Sequence, residues 1–448
     1  MRSGRRSSGT PSRCRLSLDV RRYRLSPRIG VACAAALVLG ACSSPSSSPA
    51  GHFVDEGIPE FSNPTAVTNQ LFPMSELQQV VQLGIDGGLS LRVEVTLLPE
   101  TRTIEWERRQ VETLVSQFVS YRDGRILEVA YDYFAQADDG SVWYFGELVD
   151  NYGDGRVANH SGAWLAGEDG PPGMIMPAEP RQDDVYHPEN IPGVVFEEVT
   201  VLETGVVTDG PSGEISGAIR VEEHLMEGSV EQKIFAPGYG EFETDASDEF
   251  VTVALAVPTD AREGDPPAEL GQIAEAARLI FDSVSAEDWP TVTDALNEIT
   301  AAWREIETGP TPPLLAEQMT NALADLVTAA EGREGDAARQ AAVDTAFAAS
   351  DVAMQYRDAT LIDLERMELW ARRLIADAAS AAAVRGDVAT LETIWHRVRH
   401  AVESAVFDSL EEQLAVARTA ADANDIGAAL GAAEALIPQL VEVRGRAS

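Results

Sequence analysis

The sequence predicts an α+β multidomain protein: an N-terminal antiparallel β-rich domain, shaped as a curved sheet, half-barrel or barrel, followed by a C-terminal α-helical bundle. Three observations carry this expectation. Apolar residues alternate with period two between about residues 52 and 257, the apolar period becomes helical after a polar, proline-containing segment at 258–267, and a basic leader with a short apolar core stands before both. The 448 residues, 44% of them hydrophobic, suffice for two or three packed cores.

Residues 1–41 read as a signal peptide. Nine arginines precede the run from Ile29 to Leu39 (IGVACAAALVL), whose eleven apolar and small residues are too few for a stable membrane span, which needs about 20. The order Leu39-Gly40-Ala41-Cys42 resembles the lipobox of bacterial lipoproteins. That resemblance implies cleavage before Cys42, a lipid on its sulfur, and a position on the extracytoplasmic face of the bacterial membrane. The alternative is an ordinary secretory signal with a chance cysteine. Arg21-Arg22 has the form of a twin-arginine signal, but its flanking residues match poorly. Residues 42–51 form a Ser/Pro tether.

Cleavage would remove Cys14 and Cys33, so the mature chain would form no internal disulfide and would depend on large cores. It would also take the net charge from -39 to -47, because the leader holds nine Arg against one Asp. Nucleic acid is excluded as a partner, since no basic surface remains to neutralise phosphates. The membrane itself, through Cys42, is the expected partner, with an apolar small molecule or another envelope protein as the further one. Lys233 is the only lysine beside 33 arginines, which reads as coding bias.

In the region 52–257, segments such as Leu91–Leu97, Val194–Val201 and Phe250–Leu255 alternate as strands do. Asp-Gly pairs at 123–124, 139–140, 154–155, 169–170 and 209–210 mark turns of an antiparallel meander. The most distinctive stretch runs from Tyr131 to Glu147 (YDYFAQADDGSVWYFGE). With Asp139-Gly140 as a two-residue loop, Gln136 opposes Trp143, Phe134 opposes Phe145, and Asp132 opposes Glu147. Two carboxylates so placed stand about 5 Å apart and must share a proton, bind a cation or be separated by an arginine. These six residues are the candidate ligand site, an aromatic-lined pocket with a polar end. A hydrolase using Asp132 and Glu147 is its extreme form, and an edge hairpin with its acids in water is the plain alternative.

That stretch, together with Gly162–Gly170, Met174-Ile-Met176-Pro, Phe196–Thr200 and Phe235-Ala-Pro-Gly-Tyr-Gly-Glu-Phe242, resembles an uncharacterised family of exported bacterial β-domain proteins. The resemblance covers about residues 60–257 and implies a shared fold; it brings no catalytic residue or ligand.

Beyond the linker at 258–267, residues 268–448 predict about seven helices, the longer ones at about 359–384 and 387–420 and the last near 425–441. Asp288-Trp-Pro290, Pro312-Pro313, Asp336, Gly386-Asp387 and Asn424-Asp425 supply caps and first-turn prolines. Glu392, His396, His400 and Glu403 fall on one helical stripe, the minimum for a shared metal. Met354 and Met367 on preceding helices would add thioethers, a set suited to copper, with haem as the related possibility. An exposed face of His–Glu pairs is the plainer alternative. No nucleophile elbow, phosphate loop, dinucleotide fingerprint or His-Glu-x-x-His motif occurs, and no motif names a cofactor.

Overall fold

Alternating residues from Gln79 onward build long hairpins, and the computed structural model, which describes residues 51–447 except 55 and 58, gathers them into one open sheet. Cys42 and the leader lie outside the described residues. Fifteen strands are present among the described residues. They are β1 (His52–Phe53), β2 (Gln79–Asp86), β3 (Leu89–Trp106), β4 (Arg109–Arg122), β5 (Arg125–Gln136), β6 (Val142–Gly153), β7 (Arg156–Asn159), β8 (Trp164–Leu165), β9 (Gly173–Met176) and β10 (Asp184–Ile191). They continue with β11 (Val195–Gly210), β12 (Gly213–Leu225), β13 (Val230–Ala236), β14 (Gly240–Asp245) and β15 (Glu249–Val257).

The order is β1-β10-β11-β12-β13-β14-β15-β2-β3-β4-β5-β6-β7, with β8 and β9 paired to β6. All pairs are antiparallel except β1 with β10. The sheet curls until Trp164 on β8 donates its indole N–H to Glu189 on β10 at 2.7 Å. Asp123-Gly124 and Asp154-Gly155 form the expected two-residue turns with positive φ at both positions.

The expected hairpin at Asp139-Gly140 needs correcting. Ala137 and Ser141 close a three-residue loop, so Gln136 opposes Val142 and Phe134 opposes Tyr144, in place of Trp143 and Phe145. A bulge at Phe145-Gly146 then restores the register, and Asp132 does oppose Glu147. Gly146 has φ +112°, and a Cβ there would stand 2.3 Å from the Trp164 carbonyl oxygen, so β8 can pair only because this residue is glycine.

Among the described residues eight α-helices follow: α1 (Ala268–Ser285), α2 (Trp289–Ile306), α3 (Pro313–Gly332), α4 (Gly335–Ala353), α5 (Ala359–Ala376), α6 (Ala381–Val398), α7 (Ser404–Asp422) and α8 (Ile426–Ala447). The stretches expected as two long helices are three, because Ser380 caps α6 by accepting from the Ala383 amide, and a 3-10 turn at Arg399–Ala401 ends it. Gly386-Asp387, read from sequence as a cap, lies inside α6. There the bare backbone of Gly386 packs against Gly155, whose own Cβ would meet Gly386 N at 2.4 Å.

Sheet and helices belong to one compact unit. On β3 the apolar residues Leu91, Val93, Val95 and Leu97 face the concave side, while Arg92, Glu94 and Thr96 face the helices instead of water. There they join a buried network. Arg92 pairs with Glu94 at 2.8 Å and with both Asp351 oxygens at 2.7 and 3.0 Å. Arg366 bonds Gln79 (2.6 Å), Asp363 (3.0 Å) and Asp351 (2.5 Å). Arg397 bonds Glu94 at 2.7 Å and also Gln117. Three arginines face three carboxylates, which keeps the interface neutral. Around it, Val119, Tyr121, Ile126 and Val129 of the sheet pack on Met367, Trp370 and Trp395.

Candidate functional site

The concave face of the sheet encloses a cavity. Residues of one parity point inward on each strand: Glu128, Ala130, Asp132 and Phe134 on β5, Ser116 and Phe118 on β4, Val95 and Leu97 on β3, and Lys233 on β13. A closed-end volume of about 270 Å³ is walled by Phe72, Met74, Leu77, Leu97, Phe134 and Tyr239. It shares its polar middle with a wider volume of about 620 Å³, which runs toward Leu225, Glu227, Glu231 and Glu249 at the hairpin end of the sheet.

That middle is strongly acidic. Glu128, Asp132, Glu147, Glu189, Glu197 and Glu241 all line it, and Lys233 is its only cation. Lys233 stands 2.5 Å from Glu223 and 3.7 Å from Glu231 and Glu241. Burial pulls its ammonium down, and Glu223, Glu241 and Glu231 more than reverse this, so it stays charged.

Asp132 and Glu147 face each other across β5 and β6 (Val142–Gly153), and the Tyr144 hydroxyl donates to Asp132 Oδ1 at 3.0 Å. Burial and then mutual repulsion push Glu147 up to about 10. Burial pushes Asp132 up to about 7, the Tyr144 hydrogen bond opposing it. The pair therefore holds a shared proton at neutral pH. Glu189 is also pushed up to about 7 and Glu197 well above its ordinary range, in both cases mainly by burial. Beside Asp132 in the ladder, Ser116 on β4 is fully buried, and its hydroxyl has no partner. The arrangement can hold or pass a proton, or accept hydrogen bonds from a donor-rich group, in a polar band beside an apolar slot.

Of the six ligand residues expected from sequence, Asp132, Phe134 and Glu147 line the cavity. The other three hold the frame. Gln136 Oε1 accepts from the amides of Thr68 and Asn69 at 2.8 and 2.9 Å. Trp143 donates to Ser141 Oγ at 2.9 Å, and Phe145 packs edge-on against Phe61 and Trp106. The one-residue shift at the turn is the physical reason that the expected aromatic row does not form. Missed altogether were Ser116, Glu128, Glu189 and Glu197, and Lys233, read from sequence as coding bias, is a site residue. Inward parity on the strands was the available signal, since Glu128 is two turns of the pleat from Asp132 on the same face.

The expected metal set does not come together. His396 packs edge-on against Tyr131 with its Nε2 3.3 Å from Glu100, whereas His400 is exposed on the 3-10 turn beyond α6. Met354 lies in a core with Leu270, Leu315 and Ile362, its sulfur 3.9 Å from Arg366, and Met367 lies in another core with Trp370 and Trp395. The cause is the early end of α6, which takes His400 off the stripe. Among the described residues no three His, Cys, Asp or Glu side chains form a metal-binding group.

No family model matches the chain, and no curated protein is similar to it.

Proposed function

We propose that the protein is a lipid-anchored protein of the bacterial envelope that binds an apolar ligand inside its curled sheet. The observation that carries the reading is the slot of about 270 Å³, apolar at its closed end and polar in one band. Sites for small molecules are built this way, with mostly apolar walls and a few placed polar groups. The helices favour this reading over a partner-binding bundle: their large exposed apolar residues, Leu279, Val416 and Val441 among the described residues, are scattered singly.

Filling the slot tests it. Leu97→Trp is expected to weaken binding of the neutral fluorescent probe N-phenylnaphthylamine by about tenfold, with the urea midpoint measured alongside. Unchanged affinity in a folded variant would place the probe elsewhere and remove the reading.

The address rests on Leu39-Gly40-Ala41-Cys42 behind the arginine-rich leader and its short apolar run. Cys42→Ala is expected to abolish incorporation of radiolabelled palmitate and to move the protein from the membrane to the soluble fraction. Label retained in that variant would remove the anchor.

A further inference from the structure

We propose that the ligand of this cavity is a cationic amphiphile: an apolar tail lies in the closed end against Phe72, Met74 and Leu77, and an amine head lies in the acidic band at Asp132 and Glu147. The inference rests on the reading of the cavity as a ligand site and adds the sign and position of the head group.

Two features of the lining decide the sign, and a third marks where the head sits. First, the band offers acceptors in excess: six carboxyl groups line it against one ammonium. An alkylammonium carries only donors and a positive charge, so it complements such a wall and draws Asp132 and Glu147 toward their ionised forms, whereas a fatty carboxylate would add one more acid to it. Second, the one cation is already engaged. Lys233 has Glu223 at 2.5 Å and Glu231 and Glu241 at 3.7 Å, which leaves it no free charge for an anionic head. Third, Ser116 presents a fully buried hydroxyl without a partner, directly beside Asp132 in the β4–β5 ladder and lining the slot. An unpaired buried polar atom is costly, and a polar head group placed there would satisfy it, whether it donates or accepts, so Ser116 marks the place of the head and not its sign.

The position of the head follows from strand order. Phe72 and Met74 precede the first residue of β2, and Tyr239 lies in the β13–β14 turn, so both belong to the closed end. Glu231 and Glu249 begin β13 and β15 at the opposite end. Asp132 and Glu147 lie between, at the boundary where the apolar wall stops. An amphiphile entering tail-first would bring its head to this boundary.

The test uses the mature chain with Cys42→Ala and three probes of equal tail length, decylamine, decanol and decanoate, in titration calorimetry at neutral pH and at concentrations below micelle formation. Decylamine is expected to bind about tenfold more tightly than decanol, and decanoate more weakly than both. In the double variant Asp132→Asn, Glu147→Gln the preference for decylamine over decanol is expected to shrink to about twofold or less. Equal binding of decanol and decylamine by the unaltered cavity would overturn the cationic head and leave the apolar-ligand reading standing. Tightest binding by decanoate would overturn it in favour of Lys233 as the head-group site. Failure of all three probes to bind would overturn both readings. Because the comparison of probes on the unaltered cavity decides the matter, it stands even if the double variant does not fold.

Discussion

Arg366→Met is expected to destabilise the protein by about 3–5 kcal/mol, the cost of breaking a buried ion pair from one side. Arg366 is 1% exposed and reaches Gln79, Asp363 and Asp351 within 3.0 Å, with Glu94 at 4.0 Å. Methionine fills similar space but leaves Asp351, Asp363 and Glu94 facing only Arg92 and Arg397. Asp363→Asn added to Arg366→Met restores the balance of charge and is expected to recover a large part of the loss. Urea unfolding followed by tryptophan fluorescence measures both, since Trp370 and Trp395 sit in the adjoining core. A single-variant loss below about 1 kcal/mol would mean that the network is screened like a surface pair. Because Gln79 and Glu94 belong to the sheet while Asp351, Arg366 and Arg397 belong to helices, sheet and helices are expected to unfold together.

Glu147→Gln is expected to act in the opposite direction, by an amount that grows as pH rises above about 5. A carboxyl whose folded pKa lies above its unfolded value favours folding of the protonated form. Its contribution is intact below the unfolded pKa of about 4.3 and is lost as pH rises through the folded values. With Asp132 pushed up to about 7 and Glu147 up to about 10, the wild-type chain should lose stability progressively from about pH 5 to about pH 10. Glutamine cannot ionise. The variant should therefore match the wild type near pH 5 and exceed it by roughly 1–3 kcal/mol near pH 8.5.

Asp132→Asn should produce a similar gain, and the two together less than the sum, because the pair shares one proton. Around the pair stand Glu128 on β5, Tyr144 on β6, Glu189 on β10, Glu197 on β11, Lys233 on β13 and Glu241 on β14, so part of the slope will survive in either variant. Urea midpoints of the variants and the wild type across this range test the expectation. A wild-type curve that is flat over it would show that water reaches the carboxyls freely. The carboxyls held low by arginine, Glu94, Asp351 and Asp377, act on the acid side and lose their contribution as pH falls below the ordinary carboxylate range.

The Asp132–Glu147 pair illustrates how far sequence reasoning reached. The expected turn at Asp139-Gly140 was one residue too short, yet the pairing came out right because the bulge at Phe145-Gly146 returns the residue lost at the loop. Register in a hairpin is a sum of local steps, and a bulge leaves little trace in the pattern beyond a glycine. The expected His stripe failed for a similar local reason. A 3-10 turn at Arg399–Ala401 ended the helix before His400, although the apolar period alone would have carried it on. Gly386-Asp387 looked like the start of a helix, and Gly386 is an interior contact with Gly155, which no helix-local rule could reveal.

By itself the sequence determined the order of architectures, the place where strands give way to helices and most of the caps, because periodicity and capping are short-range properties of neighbouring residues. It also determined that Asp132 and Glu147 would meet, since both lie within one hairpin. Only the tertiary structure decided what the two faces of the sheet touch. Arg92 and Glu94 alternate with apolar residues as solvent-facing positions do, but the helices cover that face, and three arginines from distant segments neutralise three acids there. In the same way Lys233, a compositional oddity in the sequence, is the one cation of the acidic cavity only because β10, β11, β13 and β14 curl to face β5 and β6. Charge pairing and desolvation depend on distances between residues far apart in the chain, and folding alone sets those distances.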